Sequence, residues 1–273
     1  MIELGKKTLI IGERINPTGR QRLATELKAG NLEYVAEEAR AQGDAGADII
    51  DVNVGAPGIN EAELLPRMAL AVQEATGLPV CMDSSDPAAL QAALKVAAEG
   101  SLVNSVTGDA DVMDQLLPAV AEHNALVVAI TKNHAGIPMG FEERMDMARR
   151  IVSRAASFGI GPERILVDFL TMPVASEPDS VSVTLRCIVA GITEMGVGTV
   201  LGASNISFGM PTRNIVNASF LSMCIRSGLS AAIVNPLEPG IVQTILAADM
   251  LCGRDPRGRR FLADYRARRR EAY

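Results

Sequence analysis

Eight apolar segments of this chain each run into an acid or an amide: Glu13 and Asn16, Asp51 and Asn53, Asp83, Asn104, Asn133, Asp168, Asn205 and Asn235. Asp51, Asp83 and Asp168 interrupt strongly apolar runs, where a buried charge costs several kcal/mol unless something hydrogen-bonds to it. Cations to do so are scarce. Of the five lysines only Lys132 falls near such a position, which argues against Schiff-base chemistry on a strand lysine. No GxGxxG or Walker A loop prepares a phosphate site, although residues 202–209, Gly-Ala-Ser-Asn-Ile-Ser-Phe-Gly, have the composition of a phosphate loop. Carboxylates and amides match instead a neutral heterocycle rich in N–H donors, such as a 2-amino-4-oxopyrimidine ring, from which an acidic side chain accepts two bonds in fork geometry. Singly, each Asp or Asn reads equally well as a helix cap or a turn residue. The whole set makes a missing ligand the expected partner.

Other reactive side chains offer less. His123 sits where a helix ends, a position that favours a cationic cap over catalysis, while His134, in Thr131-Lys132-Asn133-His134, could approach the mouth of a pocket. Cys81 shares a strand face with Asp83, and an isolated cysteine in an apolar strand is packing more often than nucleophile. With Cys187, Cys224 and Cys252 it forms no CxxC pair, so the thiols are expected to be reduced and buried.

What must position the acids is a parallel sheet. Runs rich in Ile, Val and Leu at 8–15, 48–54, 79–84, 101–106, 125–131, 165–170, 199–205 and 230–235 alternate with helical patterns at 33–46, 61–76, 87–99, 111–123, 141–158, 178–195, 213–228 and 239–251. Eight βα repeats in 273 residues predict an α/β fold, a single (β/α)8 barrel of TIM type, over an open doubly wound sheet. The acids and amides then crown the C-terminal ends of the strands, where barrels of this kind build their chemistry. A basic tail from about 254 carries Arg257, Arg259, Arg260, Arg266, Arg268, Arg269 and Arg270 and reads as a solvated helix.

Composition narrows the partners. A net charge of -6, no tryptophan and 3% aromatic residues leave neither a basic footprint nor stacking platforms for nucleic acid. No apolar run approaches a membrane span, and Met1 to Lys7 lack the apolar stretch of a signal peptide, so a cytoplasmic protein is expected.

These same residues carry a resemblance over nearly the whole chain. Ile11-Gly12-Glu13-Arg14-Ile15-Asn16, Asp51-Val52-Asn53-Val54-Gly55, Met82-Asp83-Ser84, Val103-Asn104-Ser105, Val167-Asp168, Gly202-Ala203-Ser204-Asn205-Ile206-Ser207, and Arg213 with Asn217 resemble the pterin-binding methyltransferases that act on methyltetrahydrofolate and corrinoid proteins. The resemblance implies that Asp83, Asn104 and Asp168 bind the pterin, that Asn205, with Ser204 beside it, lies at the methyl-bearing nitrogen N5, and that Glu13, Asp51 and Asn53 form a polar floor. It implies tetrahydrofolate or 5-methyltetrahydrofolate as substrate, a corrinoid (cobalamin) carried by a partner protein, since no Asp-x-His-x-x-Gly cobalamin signature is present, and a homodimer. Phe208 stands where some corrinoid iron–sulfur protein methyltransferases carry a glutamine. Arg14, Arg20, Arg22 or Arg213 could meet the glutamate tail of folate. Dihydropteroate synthases share the pterin pocket but end their last strand in an arginine-and-histidine motif, where this chain has Ile233-Val234-Asn235-Pro236. Such a synthase-like enzyme and a non-catalytic folate-binding barrel are the alternatives. For methyl transfer Asn205 would assist N5, with the proton arriving through water because asparagine supplies none at neutral pH.

Overall fold

The computed structural model describes residues 4–271; Met1 to Glu3 and Ala272 to Tyr273, the outermost parts of the N-terminal segment and of the basic tail, lie outside the described residues. The chain opens with β1 (Leu9–Ile15), α1 (Gln21–Lys28), α2 (Leu32–Asp44), β2 (Ile49–Asn53) and α3 (Glu61–Thr76). It continues with β3 (Val80–Asp83), α4 (Pro87–Leu94), β4 (Leu102–Val106), α5 (Ala110–Glu122), β5 (Leu126–Ile130) and α6 (Phe141–Ala156). Then follow β6 (Ile165–Asp168), α7 (Ser180–Met195), β7 (Gly198–Gly202), α8 (Arg213–Ser227), β8 (Ala231–Val234), α9 (Ile241–Leu251) and α10 (Arg259–Glu271). The strands are all parallel and close in sequence order, β8 pairing back onto β1. This is the (β/α)8 barrel expected from the alternating pattern.

The strands are apolar on both faces because both are covered. Leu9, Ile11, Ile49, Cys81, Leu102, Leu126, Val128, Leu166, Val200 and Ala231 pack inside the barrel, while their neighbours in sequence, such as Ile10, Ile50, Met82, Val103 and Val127, pack outward against the helices. Helix ends follow local chemistry: Asp86 accepts the Ala88 N–H at 2.9 Å ahead of Pro87 at the start of α4, and Gly77 and Gly196 close α3 and α7 in the left-handed conformation, which costs glycine little.

Four expectations change. Residues 203–205 leave the seventh strand, which ends at Gly202, and form a 3-10 turn, Ala203–Ser207; an apolar run carries no mark of where the ladder stops. Helix α1 buries only Leu23 and Leu27, too sparse a stripe to stand out. The basic tail is exposed along most of α10, as expected, but it is anchored at its start: Arg260 donates at 2.9 Å to Asp249, which is fully buried in α9 and also accepts Thr8 N–H and Oγ1–H at 2.9 and 2.8 Å. Cys81, Cys187 and Cys224 are buried free thiols, as expected, but Cys252 is only partly buried. No helix among the described residues is long and apolar enough to cross a membrane.

Candidate active site

Following each inward-facing row two residues toward the C-terminal end of its strand leads from core to acid or amide. Ile11 gives way to Glu13, Ile49 to Asp51 and Asn53, Cys81 to Asp83, Leu102 to Asn104, and Leu166 to Asp168, because side chains in a strand alternate faces. Strand register sets Asn53, Asp83 and Asn104 side by side. The Asn53 Nδ2 donates to Asp83 Oδ2 at 3.0 Å while its Oδ1 accepts the Gly55 N–H at 2.8 Å. A longer contact, 3.5 Å, joins Asn104 Nδ2 to Asp51 Oδ1. Asp168 Oδ1 accepts the Leu170 N–H at 2.7 Å. The protein itself therefore supplies a partner to each of these carboxylates, Asp51 having Cys81 as well as Asn104, a correction to the expectation that a ligand alone would.

These donors do not offset burial. Burial pushes the Asp51 carboxyl well above its usual value, with the neighbouring Asp83 charge adding and the Cys81 and Asn104 contacts opposing. Asp83 is raised by burial against the Asn53 hydrogen bond and the Lys132 charge. Asp168 is raised to about 6 by burial, opposed by the Leu170 N–H and by Arg144 and Lys132. Glu13 reaches about 7, again through burial. A row of desolvated carboxyls is suited to receive further N–H donors.

Asn205 lies in the turn after β7, half-buried, and its side-chain amide makes no hydrogen bond among the described residues. Glycine at 202 leaves it room, since a Cβ there would stand 3.2 Å from Asn205 Nδ2. Arg213 fixes the turn by donating to Ser207 Oγ at 2.9 Å and to the Ser204 carbonyl at 3.0 Å, with its guanidinium 4.6 Å above the Phe208 ring.

Some sequence candidates are elsewhere engaged. Asn16, Asn133 and Asn235 accept the N–H groups of Thr18, Ala135 and Leu237 at 3.0, 3.0 and 3.1 Å, the ordinary turn role of asparagine. Arg20 pairs with Glu38 at 2.9 Å and donates to the Arg14 carbonyl, and Arg22 lies over Tyr34, so neither faces the mouth as a free cation. His134 pairs with Asp109 at the surface, and His123 follows α5 directly.

Two positioning residues carried no sequence signal. Arg144 is buried and donates to the carbonyls of Phe169 and Leu170 at 2.7 and 2.9 Å, holding the loop behind Asp168. Gln42 braces Glu13. Between Gly12 and Ile15 the pairing of β1 with β2 slips by one residue, a bulge that costs ladder bonds and re-aims a side chain. Gln42 Oε1 accepts the Arg14 N–H there at 2.9 Å, and a Cβ on residue 12 would come within 2.5 Å of that oxygen, so glycine is required. Gln42→Met keeps the volume but orphans the N–H, and unfolding by denaturant should show a loss of about 2 kcal/mol; unchanged stability would mean that the bulge satisfies itself.

A cavity of about 740 Å³ opens at the opposite end of the barrel, lined by Leu4, Leu126, Val197 and Gly198 among others. Its arginines, Arg164 and Arg254, are already bound to the carbonyls of Ala125, Val120, Leu229 and Ile225. The crown of acids at the strand ends is the better candidate.

Comparison with known proteins gives the family. A family model described as pterin binding enzyme matches residues 12–235. The chain belongs to this family. Among its relatives, the methylcorrinoid:tetrahydrofolate methyltransferase of Eubacterium limosum is 33% identical over 265 residues, covering 94% of this chain and 96% of the relative. Methionine synthase of Mycobacterium leprae is 30% identical over 240 residues, 83% of this chain but 20% of that protein. A crystal structure of the dihydropteroate synthase FolP from Clostridium difficile, in the presence of pteroic acid, superposes with a TM-score of 0.69 at 19% identity, covering 92% of this chain and 99% of that one. The synthase from Yersinia pestis gives 0.68 at 12% identity over 90% and 93%. At such identities the synthases share the fold.

Proposed function

We propose that this protein transfers a methyl group between N5 of tetrahydrofolate and the cobalt of a corrinoid carried by a partner protein. The observation that carries the proposal is the inward row of Asn53, Asp83, Asn104 and Asp168 beside the unengaged amide of Asn205. In this reading Asp83 and Asp168, each with lone pairs left over, accept the N–H groups of the pterin, and Asn104 completes the edge. Asp51 lies deeper, and Glu13 stands at the inward end of β1. Asn205 meets N5, with the Ser204 carbonyl and Arg213 holding its turn. The similarity to a methylcorrinoid:tetrahydrofolate methyltransferase over 94% of the chain supports this reaction over others of the family. An apolar rim also supports it: Ile137, Met139, Phe208, Ile215 and Leu237 are exposed on the loops and helix starts at this end, a surface suited to a corrinoid face and its carrier.

The chemical problem is the leaving group. Departure from a tertiary ring nitrogen needs charge stabilisation at N5 in the transition state, which an aligned amide donor supplies without reorganisation. The direct test is anaerobic incubation with tetrahydrofolate and a methylated corrinoid. Formation of 5-methyltetrahydrofolate supports the reading; folate binding without it favours the synthase-like enzyme or the binding module.

Binding carries its own pH signature. A carboxyl whose value is raised by burial is mostly protonated in the free protein below about 6, whereas pterin N–H donors prefer the carboxylate. Tetrahydrofolate affinity should therefore rise with pH through about 6 and level off, with the Asp168→Asn variant lacking that step. Calorimetric titrations across this range would expose the alternative, a pH-independent affinity.

A further inference from the structure

We infer that Glu13 is the group that exchanges the proton at N5 of the folate, an assignment that rests on the methyl-transfer reading. Geometry singles it out. Glu13 sits at the inward end of β1 on the bulge braced by Gln42, and the Arg14 carbonyl at that bulge is held by Arg20. Such a bulge is a device for aiming a side chain beside an active site. Among the described residues its carboxyl makes no hydrogen bond and no ion pair, unlike Asp51, Asp83 and Asp168, which each accept at least one. It is half-buried, open toward the mouth rather than sealed in the core.

Topology brings it toward the Asn205 turn: β1 pairs with β8 and β8 with β7, so a single strand separates Glu13 from the turn after β7. The charged groups that act on it are Arg14 beside it, Asp51 from β2, Glu238 from the loop after β8, and Arg213 at the start of α8. Arg213 is the residue that donates to the Ser204 carbonyl and so holds the Asn205 turn. Burial raises Glu13 to about 7, with Glu238 adding and Arg14 and Arg213 opposing, which poises it to give or take a proton near neutral pH. Asn205 orients N5 but has no proton to give; Glu13 has one.

In the direction from folate to corrinoid, the N5–CH3 bond breaks as the Co–C bond forms from the cob(I) electron pair. The N5 lone pair left behind takes the proton of the Glu13 carboxylic acid, giving tetrahydrofolate, the methylated corrinoid and the Glu13 carboxylate. In the opposite direction N5 attacks the methyl group, the Co–C pair returns to cobalt, and the N5 proton passes to the carboxylate.

The test is the pH dependence of kcat/KM for folate, measured anaerobically with free cobalamin in both directions. The rate from 5-methyltetrahydrofolate should fall as pH rises above about 7, and the rate from methylcobalamin should rise through the same pH. Glu13→Gln should lower both by about 100-fold and abolish that limb, with tetrahydrofolate Kd changed by less than about threefold. Glu13→Asp should keep a limb, displaced from the wild-type position, and carries the test if the glutamine variant does not fold; an undisplaced limb overturns the assignment. So does a Glu13→Gln variant that keeps the limb, or whose loss lies wholly in folate affinity. Wild-type protein that binds tetrahydrofolate yet transfers no methyl overturns the methyl-transfer reading and this inference with it, whereas turnover with an unaltered Glu13→Gln profile overturns the inference alone.

Discussion

Asn205→Ala should lower the rate of methyl transfer by about 100- to 1,000-fold while leaving tetrahydrofolate affinity within a few-fold of wild type, the range found when a single aligned donor is removed from a transition state. The split follows from placement. The Asn205 amide is not engaged in holding the protein together, as its side chain makes no hydrogen bond among the described residues. Its turn is fixed through the Ser204 carbonyl and the Ser207 hydroxyl, both bound by Arg213, so truncation at 205 leaves the turn intact. An amide donor to N5 matters more as the lone pair develops than in the bound ground state. Single-turnover kinetics beside equilibrium titration separates the two quantities; equal losses in both would reduce Asn205 to a binding residue.

Asp83→Asn should weaken tetrahydrofolate binding by about 100-fold, roughly 2.7 kcal/mol, the upper part of the range for hydrogen bonds to a charged group. The substitution keeps the shape but turns one acceptor oxygen into a donor. Asn53 Nδ2 already donates to Asp83 at 3.0 Å, so a carboxamide at 83 satisfies Asn53 with its one oxygen and presents N–H groups to a pterin edge that also presents N–H groups. Stability should change little, because burial already raises the carboxyl and its charge is costly to the free protein. Calorimetry on the folded variant reads the affinity directly; a loss of less than about threefold would move the pterin away from Asp83.

Much of this site is legible in the sequence. The eight strand segments are marked by apolar runs on a βα rhythm, and period-two alternation then fixes which acid or amide points inward at each end. That suffices to find Glu13, Asn53, Asp83, Asn104 and Asp168 together. It does not separate asparagines that face the mouth from those that close turns: Asn16, Asn133 and Asn235 carry the same residue type in the same relative place, and only the positions of Thr18, Ala135 and Leu237 N–H groups decide. Nor does it reveal the braces. Gln42 lies within an amphipathic helix, where a polar residue reads as surface, and it becomes the buried support of Glu13 only once β1 bulges. Arg144 and Asp249 are hidden for the same reason, each a charged residue buried by backbone partners far away in the chain.

The most direct measurement is the anaerobic absorbance of cob(I)alamin mixed with this protein and 5-methyltetrahydrofolate. Conversion to methylcobalamin, fast with wild-type protein and suppressed with Asn205→Ala, is the predicted result. No conversion by wild-type protein that measurably binds the folate would contradict the account.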